Sequence, residues 1–437
     1  MEYLLRLSQG RCMVEDCVDA TSLPPSPRHL IPGAHSVEIA ERTHIILAGA
    51  LIITASSQLS HHPVINVTGQ SNQHHMLEYH DNEELTRSPA YTTAMALDQS
   101  PPTSGNLSIA CFLSSGEFTV FEFNHSCPSH ITRKCTHKPD PRNRRPRNTI
   151  HAVYYHPLLV SLSDDFSLSI YDLSSGEIQE SQTLSSFTSY PPASLVLSSP
   201  SPGVFKLVIA YATAVYPKHC TDMLTAPSGR TFFSSPSFRE DYKYPTASKM
   251  SIITNRTIRA FDVPMGWVNE SILRTIREQW GRKLTNVADA QTDGKWVVVA
   301  PGDNIHHETG PMTGPSPSAS SSISSPLHSP TSLQLYRLIL PTQGNSISPS
   351  PPKLVFVRSL YGQTSPVSSL ALADGRCVSL GLNGSIWVWD LEGGSSAEVA
   401  PADDLMVGHP TQGTVSFDER RIVSARAGKV VVRRFDI

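Results

Sequence analysis

Little in this chain of 437 residues announces a partner by charge: 35 Lys+Arg against 38 Asp+Glu leave a formal balance of −3. A near-neutral chain has no global field for nucleic acid or an anionic membrane. Charged residues make up only 17%, below the roughly 25% of an average globular chain, so long solvated helix faces are scarce. No apolar run reaches the about 18 residues that a membrane helix needs. Met1 to Gly10 lacks the basic start and continuous apolar stretch of a signal peptide. The seven cysteines are odd in number and scattered, which suits reduced thiols, so a cytoplasmic or nuclear protein is expected.

Catalytic signatures are missing as well. The chain holds no P-loop, no Gly-x-Ser-x-Gly elbow, no His-Glu-x-x-His and no dinucleotide fingerprint. Neither a catalytic set nor a cofactor is therefore expected, and the chain is read as non-enzymatic. His125, Cys127, His130, Cys135 and His137 lie close in sequence, but their spacing fits no recognised zinc finger and Pro128 intrudes, so no metal site is assigned.

What is present is a recurring strand ending: an aromatic residue, an acid and an apolar residue. It occurs as Phe121-Glu122-Phe123, Tyr171-Asp172-Leu173, Phe261-Asp262-Val263, Trp389-Asp390-Leu391 and Phe435-Asp436-Ile437. Period-2 runs such as Phe166, Leu168, Ile170 lead into it, the pattern of an antiparallel strand with a buried face. Polar turns precede most copies, and Asn383-Gly384 reads as a type I′ hairpin. Asp164-Asp165, Ser115-Gly116 and Ala427-Gly428 occupy equivalent places. Phe121 and Tyr171, like Trp389 and Phe435, stand roughly 46 to 50 residues apart, close to one four-stranded repeat with a longer loop.

In these features, and above all from Asp374 to Leu391, the chain resembles the WD-repeat β-propeller family. The resemblance spans residues 43–437, although most copies lack the Gly-His pair that opens a family repeat. Leu333-Gln334-Leu335-Tyr336 fits a degenerate copy, His44 to Tyr79 supplies one blade, and the interval from Tyr171 to Phe261 is assigned one more. The expected fold is all-β: a seven-bladed β-propeller of four-stranded antiparallel blades, its last blade closed by an N-terminal strand. The chain ends after the third strand of that blade, so Glu2 to Leu7 or Ser36 to Ala40, within the segment 1–42, is expected to pair with Val430 to Phe435. Residues 301–331 form a Ser/Pro-rich insertion expected to be disordered; Ser316, Ser325 and Ser329 there, with Ser348 and Ser350 beyond, precede proline and suit a proline-directed kinase. Asn269 to Gly281 reads as a helix with Ile272, Leu273, Ile276 and Trp280 on one face.

The most informative polar segment is basic. Arg133, Lys134, Lys138, Arg142, Arg144, Arg145 and Arg147 meet a single acid, Asp140, in a stretch that leads from the second blade to the third. By the family's pattern such connections share a partner-binding face with the hairpin carrying Arg426. The expected partner-binding set is Arg133, Lys134, Arg142, Arg144, Arg145, Arg147 and Arg426, suited to a protein partner's acidic or phosphorylated peptide. No aromatics interleave for base stacking, so nucleic acid is not expected, nor is a membrane. The resemblance implies an interaction platform that recruits a protein partner into a larger complex. Within the family the chain is similar to the propeller part of F-box/WD-repeat proteins, which implies substrate reception and contact with ubiquitin-ligase subunits; Leu23-Pro24-Pro25 is the only hint of the F-box itself. A general scaffold in trafficking or ribonucleoprotein assembly is the alternative, and a propeller hydrolase a third reading.

Overall fold

The computed structural model describes residues 14–19, 42–69, 74–79, 89–102, 105–125, 130–139, 147–186, 189–214, 229–234, 237–239, 251–254, 257–260, 269–284, 286–302, 331–340, 352–402 and 412–435. Their strands form six four-stranded antiparallel sheets and one sheet of six strands. Blade 1 covers residues 43–78, blade 2 92–137, blade 3 149–185, blade 4 287–360 and blade 5 367–400. Blade 6 takes 413–434 and adds Val14–Asp19 as its fourth strand. A wide sheet, residues 189–259, lies between blades 3 and 4. The first strands neighbour one another in a closed circuit: Thr43–Ala48, Thr92–Leu97, Thr149–Tyr155, Ser189–Ser201, Val287–Thr292, Val367–Ala373, Gly413–Phe417, then Thr43–Ala48 again. That circuit of antiparallel sheets around a channel is a β-propeller.

The expectation of four strands per blade holds in six sheets and fails in the wide one. Val204–Ala214 is long enough to face Ser189–Ser201 along one edge and two short strands end to end along the other. Gly229–Ser234 and Ser237–Arg239 share that edge, and each pairs outward with a further short strand.

The recurring aromatic ending lies on the third strand of its sheet, and burial explains its recurrence. Trp389 is 1% exposed and packs on Trp296 and Val298 of blade 4. Tyr171 meets Phe118 of blade 2 edge-on at 4.9 Å, and Phe121 meets Tyr79 of blade 1 at 5.8 Å. Tyr336 packs on the wide sheet and Phe435 on blade 5. In every case the ring reaches the preceding sheet, so the repeat is an inter-sheet contact written into the sequence. The acid that follows serves its own turn: Asp172 Oδ1 accepts from Ser174 N at 2.8 Å, and Asp390 Oδ1 from Glu392 N at 3.0 Å. Glu122 instead accepts from Asn106 Nδ2 at 2.9 Å, its extra methylene carrying it past the turn amides. Phe261 to Val263, Asp436 and Ile437 lie outside the described residues.

Two sequence readings need correction. Asn383-Gly384 is not a type I′ turn, because only Gly384 has positive φ, at 87°. The loop is one residue longer: Gly384 N donates to Gly381 O at 2.9 Å, and Gly381 N to Ser385 O at 2.8 Å. Asn383 uses its side-chain oxygen to accept from Ser385 N at 3.0 Å instead of adopting the left-handed conformation. A true positive-φ pair occurs at Ala427 (49°) and Gly428 (77°).

The second correction concerns ring closure. The strand that pairs antiparallel with Lys429–Arg434 is Val14–Asp19, in register from Val14 opposite Arg434 to Asp19 opposite Lys429. Glu2 to Leu7 and Ser36 to Ala40 lie outside the described residues. Of its six residues Val14, Cys17 and Val18 are apolar and Glu15, Asp16 and Asp19 acidic, so no strict alternation marks the strand in the sequence. Arg421 adds a clasp on the opposite face of the ring. Its guanidinium donates to Asp418 Oδ2 and to the carbonyls of Gly49 and Ala50 in the first hairpin of blade 1, the last at 3.2 Å. It is 9% exposed, so it ties the last blade to the first with desolvated hydrogen bonds.

Arg421→Ala is expected to cost about 3 kcal/mol, because Asp418 and two carbonyls lose their donor in a buried site. Trp389→Ala is expected to cost about 3 to 5 kcal/mol from the cavity it opens between blades 4 and 5. Urea midpoints of the two variants against a surface control such as Lys353→Ala check both.

Candidate interaction face at the channel mouth

Every inner strand starts at the same end of the channel, because in an antiparallel sheet the start of strand 1 lies beside the turn between strands 2 and 3. The inter-blade connections and the second hairpins therefore share one face. Arg147 stands on it: Gly116, in the second hairpin of blade 2, lies beside its backbone, and its Nε is 3.7 Å from Asp165 Oδ2 in that of blade 3. Arg426 lies on the same face in blade 6, its Nη2 donating at 2.5 Å to Leu382 O of blade 5. Blades 1 and 2 lie between these two arginines around the ring. Arg133 and Lys134 are not on this face. They sit within Ile131–His137, the outermost strand of blade 2, with Lys134 Nζ 3.7 Å from Glu122 Oε2. The strand is on the flank because it is the fourth of its sheet. Arg142, Arg144 and Arg145 lie outside the described residues, as do the Ser-Pro sites and Leu23 to Pro25.

The structure brings together a second set that the basic run conceals. Arg42 immediately precedes the inner strand of blade 1, and His44, His151 and Asp289 stand at the starts of the inner strands of blades 1, 3 and 4. Asp289 is a clip between blades: its Oδ2 accepts from Leu370 N of blade 5 at 2.7 Å, its Oδ1 from Ala290 N at 2.7 Å and Gln291 Nε2 at 3.1 Å. His44 Nε2 is 3.1 Å from Ser57 Oγ and 3.2 Å from Thr92 O of blade 2. A carbonyl only accepts, so Nε2 is assigned the proton. Ser368 Oγ accepts from Gly413 N at 2.7 Å, joining blades 5 and 6 at the same level. The sequence signal for the set was positional: the first to third residues of successive inner strands, legible only once the strand starts are aligned.

Electrostatics at the mouth centre on Arg42. Burial, helped by the Arg42 charge and by His151, pulls His44 down to about 3, and burial with Arg42 pulls His151 down to about 4. Burial raises the Asp289 carboxyl, against the pull of its three donors and Arg42. Both imidazoles keep partial contact with channel solvent and are neutral at physiological pH.

The other sequence candidates are placed elsewhere. The helix Glu270–Gly281 is capped by Asn269, whose Oδ1 accepts from Ile272 N at 3.0 Å, but only Ile276 of its apolar face is buried and Ile272 is 46% exposed. Its end is fixed to blade 4 through Gln334 Nε2, which donates to Arg282 O at 2.8 Å. His125 Nε2 accepts from Ala50 N at 3.4 Å, next to the first hairpin of blade 1, whereas His137 stacks on Phe118 at 5.0 Å near the mouth. They flank opposite ends of Ile131–His137, roughly 20 Å apart at about 3.3 Å per residue, too far to share one ion. Among the described residues no three His, Cys, Asp or Glu side chains converge as metal ligands, and no helix is long and apolar enough to cross a membrane.

No protein-family model matches this chain, and no curated protein matches it. Similar solved structures are known. The β-propeller domain of Cps50 (Swd1) from Myceliophteria thermophila shares 10% identity over 90% of this chain and 100% of that one, with a TM-score of 0.47. BamB from Moraxella catarrhalis shares 8% over 90% and 96%, with a TM-score of 0.42. The computationally designed Ika8 protein shares 12% over 89% and 82%, with a TM-score of 0.39. The fold assignment rests on the sheet circuit described above.

The mouth carries a pH prediction. Ordinary histidines titrate near 6.5, so the unfolded chain takes up protons at His44 and His151 before the folded one does. Stability is full above pH 6.5 and declines as pH falls toward 4; the raised Asp289 carboxyl opposes this only where carboxylates titrate. Urea midpoints at pH 7.5 and 5.5 are expected to fall in the wild type and to fall less in His151→Gln. An equal fall in both contradicts the assignment.

Proposed function

We propose that this chain is a non-enzymatic interaction platform of the WD-repeat type, and that it holds a protein partner on the face around the channel mouth. The observation that carries the reading is the placement of Arg147 and Arg426 on that face, with the exposed Arg42 just before the inner strand of blade 1. Arginine forks in loops on a rigid ring suit carboxylates and phosphates presented by a flexible peptide. Arg142, Arg144 and Arg145 belong to the same inter-blade connection as Arg147 and extend the basic rim in this proposal, and an acidic or phosphorylated peptide is the ligand. We read the wide sheet as the fourth of seven blades, residues 1–42 as the segment that closes the ring, residues 43–437 as the propeller, and the cytoplasm or nucleus as its place.

Of the finer readings, a scaffold that gathers partners is favoured over a ubiquitin-ligase receptor. An F-box is helical, and the part of residues 1–41 that the structure describes, Val14–Asp19, is a strand. Arg133 and Lys134, on the flank, are proposed as a secondary contact.

Affinity purification with mass spectrometry tests the proposal. A variant with Arg142, Arg144, Arg145 and Arg147 changed to Ala, shown by circular dichroism to be folded, is expected to lose most wild-type partners. Retained partners are expected to dissociate with rising salt, since the contact is ionic. An unchanged partner set contradicts this face as the binding site.

A further inference from the structure

The outer strands of the sheets differ in how they are protected. The fourth strands of blades 1, 3 and 5 each carry an acid, Glu78, Glu180 and Glu398, and that of blade 2 carries Arg133 and Lys134 near its middle. Charges so placed keep a sheet edge from pairing with other chains. Lys353–Leu360 of blade 4 has no acid, and its two cations, Lys353 and Arg358, stand on either side of an apolar run from Leu354 to Val357. It bonds to Leu333–Ile339 on one side, and among the described residues no strand pairs with its other side. Val355 and Val357 are 43% and 41% exposed, and Ile339 is 47% exposed. The register sets Arg337 opposite Val355 and Ile339 opposite Lys353, so Ile339 is the diagonal neighbour of Val355. Three of the eight large apolar side chains exposed among the described residues thus share one corner of one sheet, at the end of the blade away from the channel mouth. The strand is also held still: Arg358 Nη2 donates to Leu391 O of blade 5 at 2.8 Å, and the Arg282 guanidinium lies 4.4 Å over the Phe356 ring. A rigid edge offers its free N–H and C=O groups with little ordering cost.

Blade 6 shows what covers an edge of this kind. Lys429–Arg434 has the same order of residues, a lysine, an apolar run and then arginine, and there an acidic strand is added. Val14–Asp19 pairs with it antiparallel, Asp19 opposite Lys429 and Glu15 opposite Arg433. We propose that Lys353–Leu360 takes an extended acidic segment of a partner protein, apolar residues interleaved with Asp or Glu, as an added antiparallel strand on the edge of blade 4. The backbone of the segment meets the free edge, its apolar residues lie beside Val355 and Val357, and an acid stands opposite Lys353, with Arg337 one strand further in. Lys353 and Arg337 are both exposed and make no ion pair among the described residues, so the charge of the corner is uncompensated. Two copies of this strand do not suit one another. An antiparallel pair centred between Val355 and Phe356 sets Lys353 opposite Arg358 of the other copy, cation against cation. The corner is on the flank, so the inference does not rest on the reading of the mouth face.

The probe is a short capped peptide that alternates valine with glutamate, added to the full chain and followed by calorimetry and hydrogen exchange. It is expected to saturate one site and to slow exchange of the amides of Lys353–Leu360 while leaving those of Lys429–Arg434 unchanged. The double variant Val355→Glu, Val357→Glu changes exposed positions only, so its circular dichroism is expected to match the wild type while its affinity for the peptide falls about tenfold. Lys353→Glu is expected to reverse the charge preference, binding a peptide that alternates valine with lysine more tightly than the glutamate one. Absence of saturation, protection confined to other strands, or equal binding by the double variant overturns the proposal. A dimer in sedimentation that the double variant abolishes also overturns it, because it assigns the edge to a second copy. None of these results bears on partner capture by the mouth face, and loss of that capture leaves this edge site standing.

Discussion

A propeller depends on one contact that its repeats cannot supply locally: the seam where the last sheet meets the first. Elsewhere each sheet is packed by a neighbour close in sequence, and in blades 2 to 6 an aromatic residue at the third strand is pressed against the sheet before it. At the seam, Val430 and Val432 pack with Ile52, across nearly the whole chain. Three devices hold it here. Val14–Asp19 pairs with Lys429–Arg434, Arg421 reaches the carbonyls of Gly49 and Ala50, and Thr414 donates to the carbonyl of Thr43. Loop-closure entropy rises only slowly with the length of chain enclosed, so a few buried hydrogen bonds and a strand with three valines, Val430 to Val432, suffice to offset it.

The same closure creates the site. Once the circuit is complete, residues that are far apart in sequence stand around one opening: Arg42 before the first inner strand, His151 on the third blade and Asp289 on the fourth. Two of their hydrogen bonds are inter-blade clips, Asp289 to Leu370 and His44 to Thr92, so the rim that would meet a ligand also helps to set the spacing of the blades. Binding at the mouth and stability of the ring are thus coupled through the same side chains.

The sequence was legible where a residue type repeats a local task. Tyr171, Trp389 and Phe435 announced their strands because each must fill the gap to the preceding sheet, and Asn269 announced its helix because an N-cap is a local interaction. It was less legible where two geometries share one signal. Asn383-Gly384 fits a type I′ pair and a longer loop with a single left-handed glycine, and the neighbouring side chains Ser365 and Thr364, which hold Asn383, choose the second. The closing strand was placed in the correct segment but on other residues, because an outer strand needs only a half-apolar pattern. The channel mouth was invisible for a further reason. Lone residues such as Arg42, His151 and Asp289 acquire meaning only from the circuit that assembles them, whereas the basic run of residues 133–147 stood out by composition and is split between flank and face.

The central claim is that the ring is closed by a strand from the opposite end of the chain, and hydrogen exchange tests it most directly. If Val14–Asp19 seals blade 6, the amides of Lys429–Arg434 exchange as slowly as those of Ile386–Asp390, the third strand of blade 5, and opening them requires global unfolding. If those amides exchange as fast as an uncovered sheet edge, the ring is not closed in this way, and the account of the seam is wrong.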